Sequence, residues 1–246
     1  MPDQSFRTML ANLEQQGELI HFTKEVDPLE DMSAVEWKAY NELGQASLFT
    51  NIKGHEGWQA CSQIVADRKK WAIGLNIEED VLLDQMAARI QTPIAAEMTT
   101  GEAPVKDIKK TGDEIDLYDF PTLMTSEKDG GRYFASGIAI IKDPDTGLRN
   151  LSIHRQMVTG KDKTGFIMIP RQARQIYDKY CARGEAMPVA MVYGTHPAIF
   201  FASSFTTTFG NDELGLAGAI MQEPVRMVKC ESIDLEVPAE AEIVIE

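Results

Sequence analysis

The stretch over residues 133–158 decides the fold: YFASGIAIIK (133–142), the turn DPDTG (143–147) and then LRNLSIHRQMV (148–158). Two mainly apolar runs joined by five residues that include proline and glycine are typical of a β-hairpin. A further turn at Gly160 and a third predicted strand over residues 165–169 follow. The pattern therefore predicts an antiparallel sheet in the second half of the chain.

Strand and helix patterns alternate through the remainder of this half. Hairpin strands interrupted by single helices are typical of a barrel-like α+β domain rather than of a doubly wound parallel sheet. The predicted fold class is therefore α+β. After the hairpin, the pattern predicts helices over residues 171–183 and 212–221, and strands over residues 189–193, 198–202, 225–228 and 243–245.

The sequence pattern of the N-terminal third predicts a smaller domain of mixed α/β structure. Ser5 precedes apolar residues at helical spacing that stop near Gly17, which predicts a capped helix. Residues 99–113 are polar, contain glycine and proline and carry no apolar period, as is typical of a linker. We therefore predict an N-terminal α/β domain over residues 1–112 and a second domain over residues 113–246. Other elements predicted in the first domain are strands over residues 46–52 and 59–65 and a helix over residues 80–90.

The composition narrows the range of partners. The 246 residues include 38 acidic and 24 basic side chains, a net charge of −14, which disfavours non-specific binding to nucleic acid or to anionic membranes. Three scattered cysteines without a CxxC pair indicate neither a disulfide framework nor a zinc site. The chain shows no signal-peptide pattern and no apolar run of about 20 residues. These features predict a soluble, cytoplasmic protein.

Several common enzyme motifs are absent from the sequence. It contains no GxGxxG or GxxxxGK[ST] phosphate loop, no GxSxG nucleophile turn and no HExxH metal pair. The chemistry must therefore come from polar residues that lie elsewhere, and two clusters stand out.

The first cluster lies inside a predicted apolar strand. Asn150, Ser152 and His154 share one face of that strand, while Arg155 lies on the opposite, mainly apolar face. A buried arginine needs an anion, so Arg155 either pairs with an acidic side chain or binds an anionic substrate. The strand alone favours the ion pair, and it favours a structural role for His154.

The second cluster lies between residues 202 and 215, where serine and threonine residues precede a predicted helix that carries Asp212 and Glu213. A helix N-terminus attracts anions, but Asn211 acting as an ordinary N-cap explains the same pattern. Amide and carboxylate oxygens also suit a hard divalent cation. Asn150 and Glu213 would form such a half-site only if the fold brings them together, which spacing alone does not show.

Together, these clusters resemble the UbiD-type decarboxylases, which use prenylated FMN. The resemblance is carried by RNLSIHR (149–155), IPRQ (169–172), the block over residues 194–215 and the stretches over residues 228–230 and 237–246. It implies a small N-terminal α/β domain followed by a split β-barrel that binds the modified flavin. It also implies reversible, non-oxidative decarboxylation of an aromatic acid, including the hydroxybenzoic type, or of an α,β-unsaturated acid, through a covalent adduct with the flavin.

The resemblance also assigns roles to residues. It implies that Asn150 and Glu213 bind a divalent metal ion, Mn²⁺ or Mg²⁺, which holds the cofactor phosphate beside a K⁺ ion. Arg155 would bind the substrate carboxylate within a Glu–Arg–Glu network. The residues implied to contact or approach the flavin are Asn150, Ser152, Ile153, His154, Arg155, Gln172, Ser204 and Glu213.

Two departures from the family pattern qualify this reading. Ala173 stands where many members have a histidine that binds the metal. The network's acids and a further domain follow the position of Glu246 in the family, so we expect a fragment of a longer protein that binds cofactor without turnover by itself. The family pattern further implies a flavin prenyltransferase as the source of cofactor and a homo-oligomeric full-length form, a dimer or a hexamer.

Two other readings stay open. The chain could be a non-catalytic flavin- or phosphate-binding subunit that a partner chain completes. It could also be a plain FMN-binding barrel with a redox function, in which case Arg155 would have no anionic substrate to bind.

Overall fold

A computed structural model describes residues 3–101, 103–205 and 212–246, and it shows a mixed α+β fold, which confirms the predicted fold class. The helices are α1 (Phe6–Gln15), α2 (Met32–Leu43), α3 (Arg68–Leu75), α4 (Leu82–Arg89), α5 (Gln172–Arg183), α6 (Pro197–Ser204) and α7 (Glu213–Met221). The strands are β1 (Leu19–Phe22), β2 (Ala46–Phe49), β3 (Ala60–Ser62), β4 (Glu97–Met98), β5 (Tyr133–Lys142), β6 (Arg149–Gly160), β7 (Lys163–Phe166), β8 (Ala190–Tyr193), β9 (Arg226–Lys229), β10 (Glu236–Pro238) and β11 (Ile243–Ile245).

The strands of the described residues form three sheets, and none of these sheets closes into a barrel. The largest is antiparallel, with the order β11-β8-β5-β6-β7. A second sheet has the order β10-β9-β4, in which β4 pairs parallel to β9. The third, with the order β1-β2-β3, belongs to the N-terminal part of the chain.

The predicted hairpin is confirmed as the β5–β6 pair. Ile140 pairs with Leu151 and Ile141 pairs with Asn150, so the register places Asn150 near the turn end of the hairpin. Gly147 in the turn has a φ of +73°, a backbone conformation that glycine adopts without steric cost. The turn sequence and the strand alternation thus fix the position of the polar cluster on β6.

The main hydrophobic core lies between the two C-terminal sheets and a pair of helices. Its members come from β5, β6 and β8, from β9 and β10, and from α6 and α7, with Leu151 and Leu214 2 % and 0 % exposed. Helices α6 and α7 pack against each other and against β6. This packing brings the N-terminal end of α7 close to the start of β6.

The strand predicted over residues 198–202 is wrong, because this segment forms helix α6. The run PAIFFASS is apolar on all sides, and a short apolar run does not distinguish a buried strand from a buried helix by its periodicity. Two local features favour the helix: Pro197 occupies its first turn, and the His196 Nδ1 accepts a hydrogen bond from the Ala198 N–H at 3.1 Å.

The N-terminal part contains both predicted and unexpected elements. The capped helix is confirmed as α1, in which the Ser5 side chain accepts from the Arg7 N–H. Helices α2 and α3 and the strands β1 and β4 were not predicted, and neither was β10 in the C-terminal part. Within residues 99–113, the described positions form only short 3-10 turns, and no described helix is long and apolar enough to cross a membrane.

His196 makes the stability of the fold depend on pH. Burial lowers the pKa of His196 to about 4, below the value of about 6.5 expected in the unfolded chain. The contribution of His196 to the free energy of unfolding is therefore fully present above about pH 6.5. It decreases as the pH falls towards 4, because the unfolded state takes up the proton first. We expect the free energy of unfolding to be about 2 kcal/mol lower at pH 5 than at pH 7.5 because of His196.

The measurement is urea denaturation of the wild type and of His196→Asn at both pH values. Asparagine retains a capping oxygen for the Ala198 N–H but does not titrate, so the variant should lose about 2 kcal/mol less on acidification. Equal losses in the two proteins would contradict the assignment to His196.

Candidate active site

Helices α5 and α7 supply polar side chains that converge on Asn150 of β6. The Asn150 Nδ2 donates to the Gln172 Oε1 at 2.8 Å and to the Glu213 Oε1 at 3.1 Å. The backbone N–H of Leu151 donates to the other carboxylate oxygen of Glu213 at 2.9 Å. The fold therefore brings together Asn150, Gln172 and Glu213, whose separation along the chain gave no evidence of contact.

Glu213 is a buried carboxylate at the first position of α7, with 2 % of its surface exposed. The N-cap of α7 is Asp212, whose Oδ1 accepts from the Leu214 N–H at 3.0 Å. Asn211, which the sequence predicted for this capping role, lies outside the described residues. Glu213 therefore lies at a helix N-terminus, where the backbone dipole attracts negative charge.

Asn150 has an oxygen that could bind a cation. Its Oδ1 is buried and has no hydrogen-bond partner in the part of the chain that the structure describes. A buried polar atom without a partner costs about 1–3 kcal/mol, which a bound ligand would recover. The three converging side chains all carry oxygen donors, a set that suits Mn²⁺ or Mg²⁺ and disfavours soft metal ions.

No cluster of three His, Cys, Asp or Glu side chains that could hold a metal ion occurs within the described ranges. Ala173 is buried and packs with Ile141 and Ile176, so this position offers no donor atom. The residues present thus fit a hard cation that amide and carboxylate oxygens would hold.

Ser152 and His154 form a second polar pair on β6. The Ser152 Oγ lies 2.9 Å from the His154 Nε2, and the His154 Nδ1 lies 3.3 Å from the carbonyl oxygen of Ile167. A carbonyl only accepts, so Nδ1 carries the proton and Nε2 accepts from the Ser152 hydroxyl. Burial lowers the pKa of His154, although its bond to Ile167 opposes that shift. At neutral pH, this half-buried pair presents a neutral surface.

Arg155 is exposed, which differs from its expected position on a buried face. Its guanidinium lies 5.4 Å from the centroid of the Tyr133 ring. No described acidic side chain forms an ion pair with Arg155, so the structural ion pair that the strand favoured is not found among these residues. The guanidinium keeps its hydrogen-bond donors available for an anion.

The remaining predicted flavin contacts are more dispersed. Ile153 is half-buried and packs against the main core. Ser204 is the last residue of α6, and its hydroxyl donates to the Phe200 carbonyl at 3.1 Å. The threonines at 206–208 lie outside the described residues, so the serine- and threonine-rich segment is described only in part.

Comparison with known proteins identifies the family. The UbiD family's "3-octaprenyl-4-hydroxybenzoate carboxy-lyase Rift-related domain" matches residues 96–246, which is more than half of the chain. The chain belongs to the UbiD family. The N-terminal domain of the same carboxy-lyase matches residues 10–90.

Individual UbiD relatives support the same assignment. Ferulic acid decarboxylase 1 of Saccharomyces cerevisiae is 34 % identical over 100 % of this chain and 52 % of its own length. Phenolic acid decarboxylase of Bacillus subtilis is 33 % identical over 100 % of this chain and 54 % of its own length. This chain thus spans about half the length of the curated relatives it matches.

Solved structures of UbiD-class enzymes have the same fold. An evolved dimeric form of HmfF from Pelotomaculum thermopropionicum in complex with prFMN is 36 % identical, with a TM-score of 0.91 over 98 % of this chain and 56 % of that chain. HmfF in complex with FMN superposes with a TM-score of 0.90, at 36 % identity over 98 % of this chain and 54 % of that chain.

Sequence reasoning missed one part of the candidate site. The Arg149 Nη2 and Nε donate to the Asp212 Oδ2 at 2.7 and 3.1 Å, and Nη1 donates to the Glu236 Oε2 at 3.2 Å. A signal was present, because opposite charges immediately precede Asn150 and Glu213, the two predicted metal ligands. Only the fold shows that these charges meet.

Proposed function

We propose that this chain carries the flavin-binding part of a UbiD-family decarboxylase with prenylated FMN as its cofactor. The substrate would be an aromatic acid, including the hydroxybenzoic type, or an α,β-unsaturated acid. The observation that carries the proposal is the contact of Asn150 with Glu213 beside the Asn150 Oδ1, which has no hydrogen-bond partner among the described residues. Membership of a family whose members include decarboxylases supports the reaction class.

In this proposal, Asn150 and Glu213 hold the divalent ion, Mn²⁺ or Mg²⁺, that binds the cofactor phosphate, with K⁺ beside it. Gln172 lies within hydrogen-bond distance of Asn150 and fixes its amide. The all-oxygen donors are consistent with these ions. Because Ala173 offers no ligand, we expect weaker metal affinity than a shell with an added histidine would give.

The flavin would lie against Ser152, Ile153, His154 and Arg155 on β6, with Gln172 and Ser204 nearby. The neutral Ser152–His154 pair supports this because it offers hydrogen bonds without a charge that would compete for the substrate carboxylate. The prenylated flavin, when bound, supplies the electron sink for loss of carbon dioxide, which no protein side chain provides. The role of this surface is to orient the ring.

Arg155 would bind the substrate carboxylate. Its exposure and the absence of a described ion-pair partner support this role, since a paired arginine would have to exchange one anion for another. A proton donor is also required, and no described carboxylate pairs with Arg155. We therefore propose that these 246 residues bind cofactor and acid but do not turn the acid over by themselves.

The proposal also includes a split β-barrel, two domains and a homo-oligomeric whole protein. The two sheets that share the main core would correspond to the split β-barrel of a second domain. The proposed domains are an α/β domain over residues 1–112 and this second domain over residues 113–246, to whose second sheet the first domain adds β4. The whole protein would act in the cytoplasm as a dimer or hexamer, and a flavin prenyltransferase would supply its cofactor.

The test is an absorption spectrum with native mass spectrometry on protein coproduced with a flavin prenyltransferase. We expect a bound species heavier than FMN by one prenyl unit, retained in the presence of Mn²⁺. Protein that binds neither this species nor FMN, both as this chain and in a lengthened form, would overturn the proposal. A stoichiometric partner chain in the same spectra would instead support the non-catalytic subunit.

A further inference from the structure

Two consecutive residues of β6 contact the N-cap residue and the first residue of α7. Arg149 bonds to Asp212, and the adjacent Asn150 bonds to Glu213. The Leu151 N–H adds a second bond to Glu213, and these four hydrogen bonds together are called the β6–α7 ladder. Its charged rung is the ion pair of Arg149 with Asp212. Its two buried rungs are the hydrogen bonds that the Glu213 carboxylate accepts from Asn150 and Leu151.

The charged rung constrains the helix end from which Glu213 projects. Glu213 occupies the first position of α7, where helices fray unless they are capped. Asp212 caps this end through Oδ1, while its Oδ2 accepts two bonds from Arg149. One carboxylate therefore joins the helix cap to β6. The side chains of Arg149 and Asp212 are 21 % and 28 % exposed, so solvent screens this pair only in part.

We propose that Arg149, acting through Asp212, is a positioning residue that holds the Glu213 carboxylate against Asn150 and Leu151. The inference rests on the proposed function in so far as Glu213 binds a divalent cation. Arg149 also bonds to Glu236 on β10, which offers a control, because a change there alters the charge around Arg149 without altering the helix cap.

A positioning role and a purely electrostatic role of Arg149 predict opposite changes in cation affinity when Arg149 is removed. Removing a positive charge close to a cation site should strengthen cation binding if Arg149 acts only through its charge. If Arg149 positions Glu213, its removal should weaken binding, since changes in the partners of metal ligands typically cost about 10- to 100-fold in affinity. The direction of the change therefore decides between the two roles.

The experiment measures Mn²⁺ affinity by electron paramagnetic resonance in the presence of FMN. Positioning predicts the affinity order wild type, then Arg149→Lys, then Arg149→Gln and Arg149→Met, with the last about 10-fold or more below wild type. Lysine keeps the charge but loses the forked geometry, and glutamine provides a milder variant should methionine impair folding. Glu236→Gln should stay within a few-fold of wild type.

A second readout does not require metal or flavin. Hydrogen exchange at the Leu151 N–H reports its bond to Glu213, and we expect exchange to become about 10-fold faster in Arg149→Met and to stay unchanged in Glu236→Gln. Tighter Mn²⁺ binding with an unchanged Leu151 amide would overturn the positioning role. If wild type binds no Mn²⁺, the metal site of the proposed function fails, while the Leu151 amide still decides whether Arg149 positions Glu213.

Discussion

Glu213→Gln should weaken Mn²⁺ binding at least 100-fold, roughly the upper end of the cost seen for changes behind the metal ligands themselves. Glutamine has the size of glutamate but lacks its charge, and its amide nitrogen cannot accept a hydrogen bond. Both carboxylate oxygens are in use, one by the Asn150 Nδ2 and one by the Leu151 N–H. The variant thus leaves one buried donor unpaired, at a cost of about 1–3 kcal/mol in stability.

The matched control is Glu231→Gln, which changes the net charge by the same amount. Glu231 is a surface carboxylate that pairs with Lys106 and Lys109, away from the ladder. An electron paramagnetic resonance titration should then show wild-type affinity for Mn²⁺ in the control alone. Equal affinities in the two variants would remove Glu213 from the metal site.

Arg155→Ala should lower the affinity for a carboxylic acid about 10- to 100-fold while flavin binding stays intact, since hydrogen bonds to charged groups contribute about 1.5–3 kcal/mol. The guanidinium is exposed on the strand that carries Ser152 and His154, so its removal leaves no cavity in the core. It would offer a cation to the substrate carboxylate on the same strand as the proposed flavin contacts. Calorimetry on flavin-loaded protein with cinnamate, and with cinnamide as the uncharged counterpart, measures the effect.

Cinnamide should bind the wild type and Arg155→Ala about equally, because it carries no charge for the guanidinium to hold. Arg174→Ala is the control variant, since Arg174 is an exposed arginine on α5 that pairs with Asp178. Loss of flavin from Arg155→Ala with no change in cinnamate binding would favour the redox reading of the barrel over the decarboxylase.

The elements that the sequence predicted correctly are those with local signals. The β5–β6 hairpin has a proline- and glycine-containing turn, and α5 ends at Gly184, which has the φ of +70° that a helix C-terminus favours. Helix α2 lacked such a signal because its buried residues include Ser33 and Glu36, which interrupt the apolar period. The prediction for α6 was wrong for the opposite reason, since an element that is apolar on every side shows no period that identifies it as a helix.

The candidate site also contains features that local sequence patterns predicted and features that they did not. Strand alternation and a helix start are local patterns, so the sequence placed Asn150, Ser152 and His154 on one face of β6 and Glu213 at the start of α7. The roles of these residues come from the family resemblance and stay predictions. The contact of Asn150 with Glu213 was not predictable, since it depends on how α6 and α7 pack against β6. The exposure of Arg155 was also missed, because alternation alone does not show where a sheet face leaves the core.

The β6–α7 ladder joins segments about sixty residues apart, with |i−j| of 63 for Asn150 and Glu213. Such contacts form only after a long loop has closed, so the site does not exist in any partly folded chain that leaves α7 undocked. Ligands that bind there therefore bind the native state alone. Cation and flavin at about 100 times their dissociation constants would each add about 2.7 kcal/mol to the folding equilibrium. Supply of cofactor would then govern how much of the protein persists in the cell, as well as how much is active.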